Sequence, residues 1–255
     1  MEILLDIKDL HKTFGNKHVL QGISLSLRKG EILGLFGGSG TGKSVILRTI
    51  IGLEGPDAGE IVFRDQNIAN LPERQMIEVR KKIGYVFQNG ALFDSLNVEE
   101  NLAYPLIEHT KLNPTEIHDR VNRMLALIDM VGTNHLYPNE LSGGMQKRAG
   151  LARAIILGPE IILFDEPTAG LDPVNTRRLL ENIKRLRAER GITGIFVTHD
   201  IPSAFAIADR IAILYERKIY IVDSVENIKN SSDPLVQSFV SKPPEASETV
   251  NVRRK

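Results

Sequence analysis

The sequence lacks cysteine, net charge and long apolar runs, and each absence excludes a class of protein. Without cysteine, its 255 residues cannot form a disulfide framework, a thiolate metal site or a cysteine nucleophile. This composition fits a cytoplasmic protein. The 32 basic residues balance the 32 acidic ones, so the chain lacks the positive field that accompanies sequence-independent nucleic-acid binding. We therefore expect no nucleic-acid partner.

Membrane-crossing segments are also missing from the sequence. No apolar run approaches the roughly 20 residues that a membrane-spanning helix needs. The opening MEILLDIKDL mixes acidic with apolar residues, and it lacks the basic start and the small-residue cleavage site of a signal peptide. If the protein works at a membrane, we expect another chain to do the crossing.

Hydrophobic periodicity predicts an α/β fold with an added antiparallel sheet. The stretches ILLDIKDL and ISLSLRKG alternate apolar with polar residues, which indicates antiparallel strands with one covered face. The later runs EILGLF, EIILF and GIFVT are short and largely apolar, as is typical of buried parallel strands, and helical patterns separate them. Ligands of such a sheet bind at the carboxyl ends of its strands.

A helical subdomain is expected at about residues 98–145. There, TEIHDRVNRMLALIDMVG places apolar residues at helical spacing and ends at a glycine. Further along, RIAILYERKIYIVDS predicts a β-hairpin. Residues 241–255 are polar and contain proline, and we expect them to be a flexible tail or a segment that docks on a partner.

The most specific motif, GGSGTGKS, matches the phosphate-binding loop G-x-x-x-x-G-K-[ST] between a predicted buried strand and a helix. Its glycines allow successive backbone N–H groups to turn inward around phosphate oxygens. Lys43 would reach the β- and γ-phosphates of a nucleotide, and the Ser44 hydroxyl would bind Mg2+. A flexible glycine turn is the structural alternative. The loop comprises Gly37, Gly38, Ser39, Gly40, Thr41, Gly42, Lys43 and Ser44.

Four polar residues follow other predicted strands. Asp165 would lie beside Mg2+, and Glu166 next to it could polarise an attacking water, although both could be solvated loop acids. His199 could bond the γ-phosphate and hold that water, or could be a structural histidine. Gln88 could touch Mg2+ or the water, or could be a surface amide.

The stretch LSGGM provides a second anion-binding position. Ser142, Gly143 and Gly144 precede the helical run QKRAGLARAIIL, and so they lie at a helix N-terminus. One chain needs only one such cradle for one nucleotide. A second cradle makes sense if it faces the nucleotide that another copy of the chain holds.

These motifs together resemble those of the ATP-binding cassette family, over about residues 4–240. The family's Walker A loop is GGSGTGKS here, its Walker B motif is IILFDE and its signature is LSGGM. Gln88 corresponds to the Q-loop, Asp172 ends the D-loop stretch AGLD, and His199 corresponds to the switch histidine. Phe14 falls where the family stacks an aromatic ring on adenine, with a core position as the alternative.

The resemblance implies an ATPase that uses ATP and Mg2+. It implies a nucleotide-binding domain over residues 1–240, with a P-loop NTPase core of mixed, mainly parallel sheet, an antiparallel β subdomain and an inserted helical subdomain. Two copies of such a chain work head to tail, each ATP lying between the Walker motifs of one copy and the signature of the other.

The stretch QNGALFDSL, residues 88–96, is unusually apolar for a loop, and we call it the docking segment. In the cassette family, this segment and the helical subdomain form a groove for a helix of a transmembrane permease. A partner would then cover its apolar side chains. The alternative is that Leu92 and Phe93 pack beneath the helical subdomain as part of its core.

The run GALFDSLNVEENLAYPL resembles the cassettes of the Mla and MCE-linked lipid transporters. That likeness implies an MlaE-type permease, an MCE-domain partner, phospholipid cargo and a position at the cytoplasmic face of the bacterial inner membrane. An amino acid importer, a lipoprotein extractor and a division-type cassette regulator are the alternatives. Chromosome-maintenance and translation cassettes fit poorly, because the spacing between motifs is short and the cassette is single.

Overall fold

The computed structural model describes residues 2–240, so the predicted tail, residues 241–255, lies outside the described residues. Two β-sheets organise this part of the chain. The first sheet is antiparallel, in the order β2-β1-β4-β5. Its strands are β1 (Ile3–Phe14), β2 (Lys17–Arg28), β4 (Ala58–Phe63) and β5 (Gln66–Asn67).

The second sheet is mixed and has six strands in the order β10-β9-β3-β8-β7-β6. All its neighbouring pairs are parallel except the β9–β10 hairpin. Every residue of β3, β7 and β8 is buried, as the apolar runs predict. The strands are β3 (Ile32–Gly37), β6 (Ile83–Val86), β7 (Ile161–Asp165), β8 (Thr193–Val197), β9 (Arg210–Tyr215) and β10 (Lys218–Ser224).

Helices connect the strands, and the longest begin at residues that suit helix starts. Asn97 and Asn113 each cap a helix together with a glutamate three residues later. The asparagine side chain accepts from the backbone N–H of the glutamate, and the glutamate side chain accepts from that of the asparagine, so both N–H groups are satisfied. The helices described are α1 (Lys43–Ile50), α2 (Glu73–Lys82), α3 (Val98–His109), α4 (Pro114–Leu127), α5 (Gly143–Ile155), α6 (Pro173–Arg190), α7 (Ile201–Ile207), α8 (Val225–Lys229) and α9 (Pro234–Val240), with a 3-10 turn at Pro138–Glu140.

The six-stranded sheet separates two hydrophobic clusters. On one face, Phe164 and Phe196 pack with the apolar sides of α3, α4, α5 and α6. On the other face, Leu163 and Ile195 pack with α1 and the antiparallel sheet. Neighbouring residues of one strand enter opposite clusters because side chains alternate across a sheet. The predicted α/β fold with an antiparallel sheet and inserted helices is confirmed.

Within residues 2–240, no helix combines the length and the apolar character that crossing a membrane requires. The longest helix, α6, has 18 residues, but its sequence is strongly charged.

Candidate nucleotide site

Three of the predicted motifs meet at one edge of the six-stranded sheet. The parallel neighbours β3, β8 and β7 end side by side. The phosphate loop follows β3, Asp165 and Glu166 come at the end of β7, and His199 follows β8. Strand order therefore brings together side chains that are far apart in the sequence, at the carboxyl edge where ligands of parallel sheets bind.

Lys43 lies inside the phosphate loop and is 5% exposed. Its ammonium group donates hydrogen bonds to the carbonyls of Gly37 and Gly38, both at 2.9 Å. Burial lowers the pKa of Lys43, and the negative charges of Glu166 and Asp165 partly oppose that shift. A buried cation bonded only to neutral carbonyls is ready to exchange them for phosphate oxygens.

Glycine is required at the last position of the loop before α1. Gly42 has φ +107°, in the left-handed region that suits glycine. A Cβ atom there would come within 2.9 Å of the side chains of Val19 and Leu20. The loop thus passes close to β2 and leads into the N-terminus of α1, the kind of helix end that favours anions.

Asp165 is buried, at 6% exposed, and two hydroxyl groups bond its carboxylate. Ser44 Oγ donates to Oδ1 at 2.6 Å, and Tyr85 Oη donates to Oδ2 at 2.8 Å. Burial, followed by the negative charge of Asp165, raises the pKa of Tyr85. The tyrosine hydroxyl therefore stays protonated and acts as the donor.

Glu166 occupies a sharp turn after β7. Its φ of +47° lies in the left-handed region, which is strained for a residue with a side chain. Its carboxylate bonds His199 Nδ1 at 2.8 Å. The positive charges of Lys43 and Lys147 also act on it, since Glu166 raises the pKa of both lysines against the lowering effect of burial. Glu166 thus lies near two lysine side chains and one histidine side chain.

A cavity of about 380 Å³ opens beside these residues. Its lining combines residues 39–45 with Phe14, Lys17, Val19 and Glu166. Phe14 is 42% exposed, and Lys12 Nζ lies 5.1 Å from its ring centroid. Phe14 therefore lies at the cavity, as a residue that stacks on a nucleobase should, and outside the core that was its alternative.

Gln88 lies apart from the cavity in this conformation. It is exposed in the turn that follows β6. Gln88 is not one of the described residues that line the 380 Å³ cavity. Its contact with Mg2+ or water stays a prediction.

The LSGGM residues also lie outside this chain's own cavity. Ser142 is exposed and caps α5, with Met145 N donating to its Oγ at 3.4 Å. Gly143 and Gly144 form the first turn of that helix. Asp172 caps α6, and its pKa is lowered by hydrogen bonds from the backbone and side chain of Asn175 and from the backbone N–H of Val174.

Two polar residues at the site were missed by the sequence reasoning. Tyr85 reaches Asp165 because β6 and β7 pair in parallel, with Tyr85 opposite Leu163. Lys147, one turn into α5, donates to the carbonyl of Ala169 in the AGLD stretch. No motif marks either residue, and only the pairing of distant elements reveals them.

Two neighbouring apolar residues of the docking segment, Leu92 and Phe93, have different environments. Leu92 is partly buried against the core of the helical region, whereas Phe93 is 45% exposed. The Phe93 ring lies 5.3 Å from that of Tyr104 on α3, edge to face. The core alternative therefore applies to Leu92 and not to Phe93.

Asn101 and Arg153 hold the docking segment in place. Asn101 is fully buried, accepts from Phe93 N at 2.8 Å and donates to the carbonyls of Phe93 and Leu96. Arg153 of α5 donates to the carbonyl of Ala91 at 2.5 Å and covers the Phe93 ring. The segment is thus fixed to both α3 and α5.

Comparisons with known proteins agree on one family. The family model for ABC transporters matches residues 20–169. The chain is 41% identical, over 237 residues, to the intermembrane phospholipid transport system ATP-binding protein MlaF of Escherichia coli, covering 93% of this chain and 88% of MlaF. It is 40% identical, over 241 residues, to the probable ribonucleotide transport ATP-binding protein mkl of Mycobacterium tuberculosis, covering 94% of this chain and 67% of mkl.

A solved structure gives the same result at the level of the fold. It is the dimeric, post-hydrolysis state of the ATP-binding cassette MJ0796 bound to ADP and Pi, with a TM-score of 0.79 and 32% identity. The match covers 87% of this chain and 98% of that one. Family model, curated relatives and fold therefore agree with the motifs at the sheet edge, and the chain belongs to the ABC transporter family as one of its ATP-hydrolysing, ATP-binding subunits.

Proposed function

We propose that this chain powers a membrane transporter that moves phospholipid between bacterial membranes. The observation that carries the proposal is the 41% identity to MlaF, which extends over 93% of the chain. Similarity of that extent includes the docking segment and α3 as well as the nucleotide motifs. The 40% identity to mkl supports a second candidate cargo, a ribonucleotide.

The chain's own residues suit ATP hydrolysis by positioning and electrostatics. Lys43 and the N–H groups of residues 38–44 would bind the phosphates, and Phe14 would stack on the adenine. Glu166 would accept a proton from the attacking water, with His199 fixing the orientation of both. Because phosphoryl transfer needs little covalent chemistry from the protein, these roles account for most of the site.

The donors at the site fit Mg2+. Ser44 and Asp165 offer hydroxyl and carboxylate oxygens 2.6 Å apart, the ligand type that Mg2+ prefers. In the part of the chain that the structure describes, no cluster of three or more His, Cys, Asp or Glu could hold a metal alone. The nucleotide phosphates would therefore supply the remaining ligands of Mg2+. The bound ion would neutralise phosphate charge.

A head-to-tail dimer of two copies would complete each site. The N-terminus of α5 lies outside its own cavity, with Ser142 and Gly143 exposed and Gly144 buried behind them, and the first N–H groups of a helix would suit phosphate oxygens of a second molecule. Asp172, which also lies outside that cavity, would approach the same interface. The MJ0796 cassette is described as a dimer, which supports the same arrangement here.

A transmembrane permease would bind at the docking segment. A groove of about 470 Å³, lined by residues of α3 and its start, lies next to Phe93 and includes the exposed Tyr104 and Ile107. Exposed aromatic and aliphatic side chains of this kind suit an apolar helix of a partner. We assign that partner to the MlaE type, with an MCE-domain protein in the complex and the cassette at the cytoplasmic face of the inner membrane.

The test is to purify the native complex through this chain and to identify the molecules bound to it. We expect a multi-spanning permease, an MCE-domain protein and phospholipid, identified by mass spectrometry. Phe93→Asp should lose the permease while keeping ATP hydrolysis, whereas Ile3→Asp, which alters a similarly exposed residue on β1, should keep both. A complex that carries ribonucleotide cargo and no phospholipid would overturn the assignment.

A further inference from the structure

We propose that Tyr85 is a positioning residue for the magnesium carboxylate, holding one oxygen of Asp165 so that the other faces the metal. The inference deepens the proposed function and rests on its use of Mg2+ with ATP. Tyr85 does not line the 380 Å³ cavity in the described part of the chain. It acts through Asp165 and does not touch the nucleotide.

The two oxygens of Asp165 have separate partners. Tyr85 Oη donates to Oδ2 at 2.8 Å, and Ser44 Oγ donates to Oδ1 at 2.6 Å. Ser44 belongs to the phosphate loop, so Oδ1 is the oxygen on the side of the phosphates and the metal. Without a partner on Oδ2, the carboxylate could rotate about its last torsion, which has a broad energy minimum.

A hydroxyl group suits this task better than a cation would. Asp165 is buried, so each of its oxygens needs a hydrogen bond. A lysine or arginine at position 85 would supply one, but it would also neutralise the carboxylate and repel Mg2+. The tyrosine hydroxyl satisfies the oxygen and leaves the negative charge available for the metal.

The tyrosine itself is fixed by its neighbours. Its backbone belongs to β6, and its parallel partner across the ladder is Leu163, two residues before Asp165. The centroid of its ring lies 4.4 Å from that of the Phe87 ring. Since a partner held in place by backbone and ring contacts imposes its own geometry, Tyr85 sets the orientation of the carboxylate.

The test is Tyr85→Phe, which removes one oxygen atom and keeps the ring against Phe87. ATP hydrolysis is measured against free Mg2+ concentration. We expect the half-saturating Mg2+ concentration to rise about tenfold, the lower end of the usual cost of losing a group that orients a metal ligand. Activity should recover toward the wild-type rate at high Mg2+. By calorimetry, the affinity for ATP in EDTA should be unchanged, while the affinity for ATP with Mg2+ should fall.

The matched control is Tyr220→Phe. Tyr220 Oη donates to Asp233 Oδ2 at 2.7 Å, a bond of the same kind on the hairpin strand β10, and Tyr220 packs on Tyr215. We expect its Mg2+ dependence to equal that of the wild type. In an Asp165→Asn background, Tyr85→Phe should add no further loss of Mg2+-dependent ATP affinity, since its effect passes through that carboxylate.

Two results separate this inference from the proposed function. A wild-type chain without Mg2+-dependent ATP hydrolysis would contradict the proposed function itself. Normal Mg2+ dependence in both the wild type and Tyr85→Phe, or an equal shift in Tyr220→Phe, would overturn the positioning role alone.

Discussion

At the scale of single residues, Glu166 combines strain, charge and proximity to the phosphate loop. It adopts a left-handed backbone conformation, and its carboxylate bonds His199 at 2.8 Å. Strained residues persist where the surrounding structure fixes them, and functional sites are where they cluster. These features favour Glu166 over its neighbours as the base.

Glu166→Gln should therefore separate binding from hydrolysis. The amide keeps the size of the side chain but cannot accept the proton of the attacking water, so we expect hydrolysis to fall by about 100-fold or more. ATP affinity, measured by fluorescence titration, should stay close to that of the wild type. Glu160→Gln, which alters a surface partner of Arg64, is the control. Wild-type turnover in Glu166→Gln would remove this residue from the role of base.

At the scale of secondary-structure elements, the docking segment and α5 are in direct backbone contact. A Cβ atom on Gly150 would lie 2.6 Å from the carbonyl oxygen of Gly90 and 2.7 Å from its Cα. Arg153, one turn further along α5, holds the same segment through Ala91. Ser142 caps the N-terminus of the same helix, so α5 directly connects the docking segment to the LSGGM residues.

Gly150→Ala should disturb this contact. Neither side can yield easily, because the clash is with backbone atoms, and we expect a loss of about 1–3 kcal/mol in the free energy of unfolding, as for other overpacked positions. Urea denaturation measures it. Gly55→Ala, where a Cβ would have no neighbour within 4 Å, should cost less. A gain of about 1 kcal/mol in Gly150→Ala, the ordinary benefit of alanine over glycine inside a helix, would contradict the predicted clash.

The contact between α3 and α4 should depend on pH. His118 Nδ1 bonds Glu99 at 2.6 Å, and this contact raises the pKa of His118 from its ordinary 6.5 and lowers that of Glu99 from its ordinary 4.5. The stability that His118 contributes is fully present below pH 6.5, its ordinary pKa, and is lost as pH rises through the raised pKa of the folded state. The stability that Glu99 contributes is fully present above pH 4.5, its ordinary pKa, and is lost as pH falls through the lowered pKa of the folded state.

His118→Gln should accordingly lose most stability, relative to the wild type, between pH 4.5 and 6.5. The negative charge of Asp119 also raises the pKa of His118, by less than Glu99 does. Thermal unfolding across pH measures the effect, which should be modest because His118 is largely exposed and Glu99 partly exposed. In a Glu99→Gln background, the difference should lose most of its pH dependence. A difference that is constant with pH would contradict the ion pair.

At the scale of the whole molecule, local patterns predicted the elements, and strand order decided which of their ends meet. The phosphate loop and the strands that deliver Asp165 and His199 were predictable because each motif has its own local signal. The bond from Tyr85 to Asp165 was not, because it needs β6 beside β7, which no local pattern specifies. The separate environments of Leu92 and Phe93 likewise depend on how α3 and α5 pack around one loop.

The central claim is that each ATP is held by two copies of the chain, and ATP-dependent association of Glu166→Gln tests it most directly. Ser142 is exposed and lies outside its own cavity, so Ser142→Phe should not alter nucleotide binding within one copy. Size-exclusion chromatography with ATP should show a dimer for Glu166→Gln and a monomer for the double variant with Ser142→Phe. A double variant that still dimerises with ATP, or a Ser142→Phe monomer that hydrolyses ATP at the wild-type rate, would contradict the account.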